Sequence, residues 1–184
     1  KLARTLKPMS SEQMQALHPD VPSEAAFNYR MVTLVSMDDP GLVILATHRE
    51  VFDYAQTSAA DLLARAEQTF QVIPVPDLEA CLNEMRAHEQ SHAFGLYAGG
   101  RYHVLVLRNA ALIESWMAPP LPAACASLDV SIARRILLEG IAGLSAEAIE
   151  TQSNVRYHRD PAPAIENVNA GRGNFCLFLN PTRI

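Results

Sequence analysis

The residues His88-Glu89-Gln90-Ser91-His92 match the H-E-x-x-H pattern. On a continuous helix, histidines at i and i+4 share a face. Both can then ligate zinc while the glutamate serves as general base. The preceding apolar positions Leu78, Cys81, Leu82 and Met85 fall at helical spacing, and His88 follows Met85 by three. After His92, however, Phe94–Ala98 alternates like a strand and ends at Gly99-Gly100, a two-residue hairpin turn. The spacing therefore predicts that the helix stops before His92 and that the two imidazoles diverge. His92 would join the strand face of Phe94, Leu96, His103 and Leu105. It would lie roughly 13 Å from His103, at about 3.3 Å per residue, too far to share a metal. No zinc is expected, and the metallopeptidase reading ranks last.

Thr47-His48-Arg49 follows the apolar run Leu42–Ala46. Read as the end of a buried strand, it would carry an imidazole able to exchange protons near neutral pH. It would also carry a guanidinium fork suited to phosphate or carboxylate. A surface loop leading into a helix is the plainer reading of the same residues. Asp38 and Asp39 offer carboxylates for a hard cation, but their place in Asp38-Asp39-Pro40-Gly41 suits side-chain caps of a turn. Thr47, His48, Arg49, Asp38 and Asp39 are the candidate ligand-binding residues; the catalytic residues and any cofactor stay unknown. Gly171-Arg172-Gly173 lacks the Lys-Ser/Thr of a phosphate loop. Arg156, His158 and Arg159 read as a solvated strand face, and Trp116, the only Trp, as a packing anchor.

The elements that must position these residues follow from punctuation and periodicity. Asn28–Met37 alternates, Pro40 and Gly41 fit a type II turn, and Leu42–Ala46 reads as the returning strand. Ser58 with Asp61 marks a helix start, Phe70–Val75 a strand, and Asp77 the cap of the next helix. A helix is expected from Leu128 to Glu139, ended by Gly140 and Gly143, with a short helix from Ser145. Asn154–Arg159 and Phe175–Leu179 read as strands, with an Asp160-Pro161 helix start between them. The class is α+β: a mixed, largely antiparallel sheet with hairpins and packed helices. Residues 1–184 are read as one domain.

The chain has 184 residues, 49% hydrophobic and 19% charged, with a formal charge of −5. That length and composition support a sizeable core and exclude disorder, coiled coil and collagen-like repeats. The negative balance argues against a nucleic-acid partner. Apolar runs such as Phe175–Leu179 are far shorter than the roughly 18 residues of a membrane span, so no membrane partner is expected. Cys81, Cys125 and Cys176 have no metal or disulfide spacing. They read as buried free thiols in a reducing cytoplasm. Lys1–Lys7 resembles the tail of a helix and Phe175–Leu179 a late buried strand, so the chain is expected to be a C-terminal piece of a longer protein. The missing remainder of its own chain would then be a partner, and a homo-oligomer stays open.

The stretch Met37-Asp38-Asp39-Pro40-Gly41-Leu42-Val43-Ile44-Leu45-Ala46-Thr47-His48-Arg49 resembles the bacterial domain-of-unknown-function family numbered 1015. Phe94-Gly95-Leu96-Tyr97, Leu128-Asp129-Val130-Ser131, Tyr157 and Phe175–Thr182 agree at similar spacing. The family usually has Pro at the position of Ala46. The resemblance implies an upstream part carrying an Asp-Gly-His-His-Arg motif, similar to one in ParB-like proteins and free-serine kinases, and a downstream Lys-containing tail. Neither occurs in this sequence. Three functions remain: the accessory half of an enzyme that handles a small anionic or phosphorylated ligand, kinase-like by analogy only; a non-catalytic scaffold or interaction domain; and the zinc metallopeptidase.

Overall fold

A computed structural model of the chain describes residues 12, 16, 33–36, 39, 41–54, 57–117 and 120–182. The chain divides into two compact units, Lys1–Leu42 and Val43–Ile184. In the first, the turn at Asp39 is present: Leu42 N–H donates to the Asp39 carbonyl at 2.9 Å, and Gly41 N–H donates to Asp39 Oδ1 at 2.8 Å. Asp38 and Pro40 lie outside the described residues, as does most of Asn28–Met37. Residues 33–36 belong to no helix or strand.

The second unit is built on a six-stranded sheet. Its elements are β1 (His48–Val51), α1 (Ala59–Ala66), β2 (Phe70–Val75), α2 (Leu78–Ala87), β3 (Ala93–Ala98), β4 (Arg101–Leu107), α3 (Leu112–Trp116), α4 (Ala123–Ala126), α5 (Asp129–Ile132), α6 (Ala146–Glu150), β5 (Val155–His158), α7 (Ala162–Asn169) and β6 (Phe175–Leu179). The strand order is β2-β4-β3-β6-β1-β5. Every pairing is antiparallel, so the α+β class holds and the sheet's expected mixed character resolves to one direction of pairing. Two of its strands are joined by the expected Gly99-Gly100 hairpin, with φ of 58° and 76° that suit glycine.

The first expected hairpin fails. Leu42–Ala46 forms no strand; Val43 is 73% exposed, and pairing begins only at His48. A short apolar run beside a turn suits a strand but does not fix its partner. β1 instead lies between β5 and β6, far away in sequence.

Helices cover both sheet faces. On one, Phe94, Leu96, Leu105 and Leu177 pack against α1 and the helix that continues α5. On the other, Phe178, Val104 and Cys176 meet Cys81 and Met85 of α2 and Ala164 of α7. Gly95 lets α2 sit close: a Cβ there would lie 2.7 Å from Cys81 Sγ and 2.8 Å from Phe178. The expected helix caps are present, with Ser58, Asp77 and Ser145 side chains each accepting from the backbone N–H three residues on.

The expected helix over Leu128–Glu139 needs correction at its end. From Ala133 to Ala142 the winding loosens to π-helix, and Gly140 lies within it. Only Gly143, at φ 85°, terminates it. Gly140 is required by contact instead, because a Cβ there would overlap the Trp116 ring. The thiols also divide: Cys81 and Cys176 are buried as expected, whereas Cys125 is exposed on the four-residue α4.

Candidate functional site

β1 carries His48 and Arg49 of the predicted Thr-His-Arg segment, with Thr47 just before it, and it is an interior strand paired on both sides. Strand alternation sends His48 and Glu50 to the α7 face, and Arg49 and Val51 to the other. The register sets Arg49 opposite Tyr157 and Leu177, and Glu50 opposite Arg156 and Cys176. His48 and Arg49 are both buried, on opposite faces of the sheet.

His48 Nδ1 accepts from Leu179 N–H at 3.3 Å, and its ring stands edge-on to Phe178 with centroids 5.5 Å apart. That bond requires the neutral tautomer with its proton on Nε2. Burial, helped by the Arg49 and His158 charges and partly opposed by Asp160, lowers the His48 pKa to about 4.

Arg49 is 8% exposed. Its guanidinium donates to the Thr47 carbonyl and lies 5.5 Å from the Tyr157 ring centroid. Among the described residues no carboxylate lies within ion-pair distance of it. Burial lowers its pKa, opposed by Tyr157. A buried arginine without a counter-charge is an electrostatic debt that an anion can settle. The Asp39 carboxylate, in the first unit, accepts from the Gly41 amide.

Glu50 was not singled out by sequence reasoning. Its carboxylate is wholly buried. Oε1 accepts from Arg156 Nη1 at 2.8 Å; Oε2 accepts from His158 Nε2 at 2.7 Å and from Asn167 Nδ2 at 3.0 Å. Asn167 Oδ1 in turn accepts from Arg172 Nε at 3.0 Å, and Arg156 lies 3.6 Å over the Phe52 ring. Arg156 and His158 are thus ion-pair partners of a buried acid, where a solvated strand face was expected. The available signal was the i, i+2 spacing of His48 with Glu50 and of Arg156 with His158, a polar stripe on one face of two strands.

The H-E-x-x-H segment is split as expected. α2 ends at Ala87, Glu89–Ser91 is a single 3-10 turn, and Phe94–Ala98 is strand. His88 Nε2 meets Glu84 Oε1 at 3.1 Å, whereas His92 Nδ1 meets Asp129 Oδ1 at 2.7 Å. His92 has φ 54° and ψ 80°, a left-handed conformation uncommon for histidine. Among the described residues no three His, Cys, Asp or Glu side chains are grouped to hold a metal ion. Among them, too, no helix is long and apolar enough to cross a membrane.

No curated protein and no solved structure matches the chain. The family model described as "Protein of unknown function (DUF1015)" matches residues 4–131, more than two thirds of the sequence, in agreement with the resemblance carried by the Met37–Arg49, Phe94–Tyr97 and Leu128–Ser131 stretches. The match takes in β1 with its buried arginine and both partners of the His92–Asp129 pair, and by it the chain belongs to the DUF1015 family.

Proposed function

We propose that this protein binds a small anionic ligand, phosphorylated or carboxylated, at the β1–β5 corner, as the accessory half of a cytoplasmic enzyme. The observation that carries the reading is Arg49: a desolvated guanidinium with no carboxylate partner among the described residues, held in place by Thr47 and Tyr157. The kinase-like and ParB-like associations are analogies that a phosphorylated ligand would strengthen. Three free thiols suit a reducing compartment, and the net charge of −5 weighs against nucleic acid. His48, facing away, supports the strand through Leu179 and does not take part in binding.

The scaffold reading draws on the same corner, since the Thr47 carbonyl and the Tyr157 ring satisfy part of the guanidinium. Calorimetry with ATP and with glycerol 3-phosphate separates the two. Binding that weakens at least tenfold in Arg49→Lys, about 1–3 kcal/mol for a charged hydrogen bond, supports the anion site. Undiminished affinity in Arg49→Lys, or no binding of either probe, makes Arg49 structural and leaves the scaffold.

A further inference from the structure

His92 and Asp129 form a second polar constellation, on elements remote in sequence from β1. The side chains are 14% and 10% exposed, and their 2.7 Å contact joins the start of β3 to the start of α5. With Nδ1–H donated to the carboxylate, Nε2 is the remaining ring nitrogen, and in the neutral tautomer it accepts. Among the described residues Nε2 has no hydrogen-bond partner. His92 lines an open cleft of about 250 Å³ together with Gln90, Ser91, Leu107, Arg108 and Ala110. Arg108 is anchored through Nε alone, to the Phe70 carbonyl at 3.0 Å and the Glu67 carbonyl at 3.3 Å. Its two terminal nitrogens hold no hydrogen bond among the described residues. One cleft therefore combines a cationic fork with an acceptor whose tautomer is fixed from behind. The strained backbone of His92 is the conformation from which its ring reaches Asp129.

We infer that this cleft binds a small oxyanion that keeps a hydroxyl, hydrogen phosphate being the simplest, with Arg108 on the charged oxygens and His92 Nε2 accepting from the P–OH. The donor requirement sets the selectivity. Sulfate has the same shape and charge but no proton at neutral pH, so it would set an acceptor against an acceptor at Nε2. A mismatched polar pair of this kind is rejected far more strongly than a missing methylene.

The test uses inorganic phosphate and sulfate as probes, with the ring nitrogens of His92 followed by nitrogen-15 NMR as a local readout. The free protein should show a pyridine-type Nε2 and a pyrrole-type Nδ1. Phosphate should shift Nε2, with at least tenfold tighter binding than sulfate. His92→Asn is the informative variant: asparagine tolerates the left-handed backbone, and its amide can still donate to Asp129, but it has no Nε2. It should fold normally and lose the preference for phosphate. Arg108→Gln should weaken both anions. Arg49→Lys should leave the preference intact, which separates this cleft from the β1–β5 corner. Equal binding of the two anions, absence of a phosphate effect on the His92 ring, a preference surviving in His92→Asn, or its loss in Arg49→Lys would each overturn the inference.

Discussion

Glu50 Oε2 and His158 Nε2 lie 2.7 Å apart on neighbouring strands, with the carboxylate excluded from solvent. Arg156 and Asn167 complete its coordination. Removing the acid leaves a cation and a histidine without their buried acceptor, and breaking such a pair costs about 3–5 kcal/mol. Glu50→Ala should lower stability by that amount in urea unfolding. A loss below about 1 kcal/mol would show that solvent replaces the carboxylate.

Stability should fall as the solution is acidified through the histidine range. The His48 pKa is about 4 in the fold and near 6.5 when unfolded, so between these values only the unfolded chain holds the proton. The contribution is complete above about pH 6.5 and decreases toward pH 4. His103, also lowered by burial and the Arg101 charge, acts in the same direction. Between pH 7 and pH 5 the loss should be on the order of 2 kcal/mol. His48→Gln should flatten the profile, and an identical slope in that variant would remove His48 as its source.

Thiol labelling should be selective. Burial pushes the Cys81 and Cys176 thiols up to about 12, with Glu50 adding to the effect at Cys176. Cys125 is exposed. A maleimide should modify Cys125 alone in the folded protein and all three cysteines in urea, as peptide mass spectrometry would show. Prompt native labelling of Cys176 would mean that the α7 face opens readily.

Gly140→Ala should displace the single Trp. The new methyl overlaps the Trp116 ring, and overpacking of this kind costs about 1–3 kcal/mol. Red-shifted tryptophan emission with a lower unfolding midpoint is the expected result. Unchanged emission would place the strain in the π-helix instead of the ring.

Local chemistry made much of this architecture readable. Ser58, Asp77 and Ser145 announce helices because each cap is satisfied within three residues. Gly99-Gly100 announces a hairpin because few other residues accept two positive φ values. Leu42–Ala46 misled because a short apolar run after a turn shows that a chain can be a strand, not which partner it will meet. His48–Glu50, rich in polar residues, looks like a loop until β5 and β6 enclose it. The ligands of Glu50 are more than a hundred residues away, and Asp129 is 37 residues from His92, so local spacing shows at most a polar stripe and not which residues it meets.

The place of β6 has a kinetic consequence. β2, β4 and β3 are near neighbours in the chain and can assemble around one tight turn. β1 and β5 form a second ladder, and β6 is the strand that pairs with both groups. Joining them means closing loops that span most of the domain, an entropy loss paid before the contacts form. The β2–β4–β3 unit is therefore the natural nucleus, and docking of β6 the slow, committing step of folding. Until that step Glu50 has neither a covered face nor its full set of donors, so the polar cluster at β1 is among the last features to reach its native form.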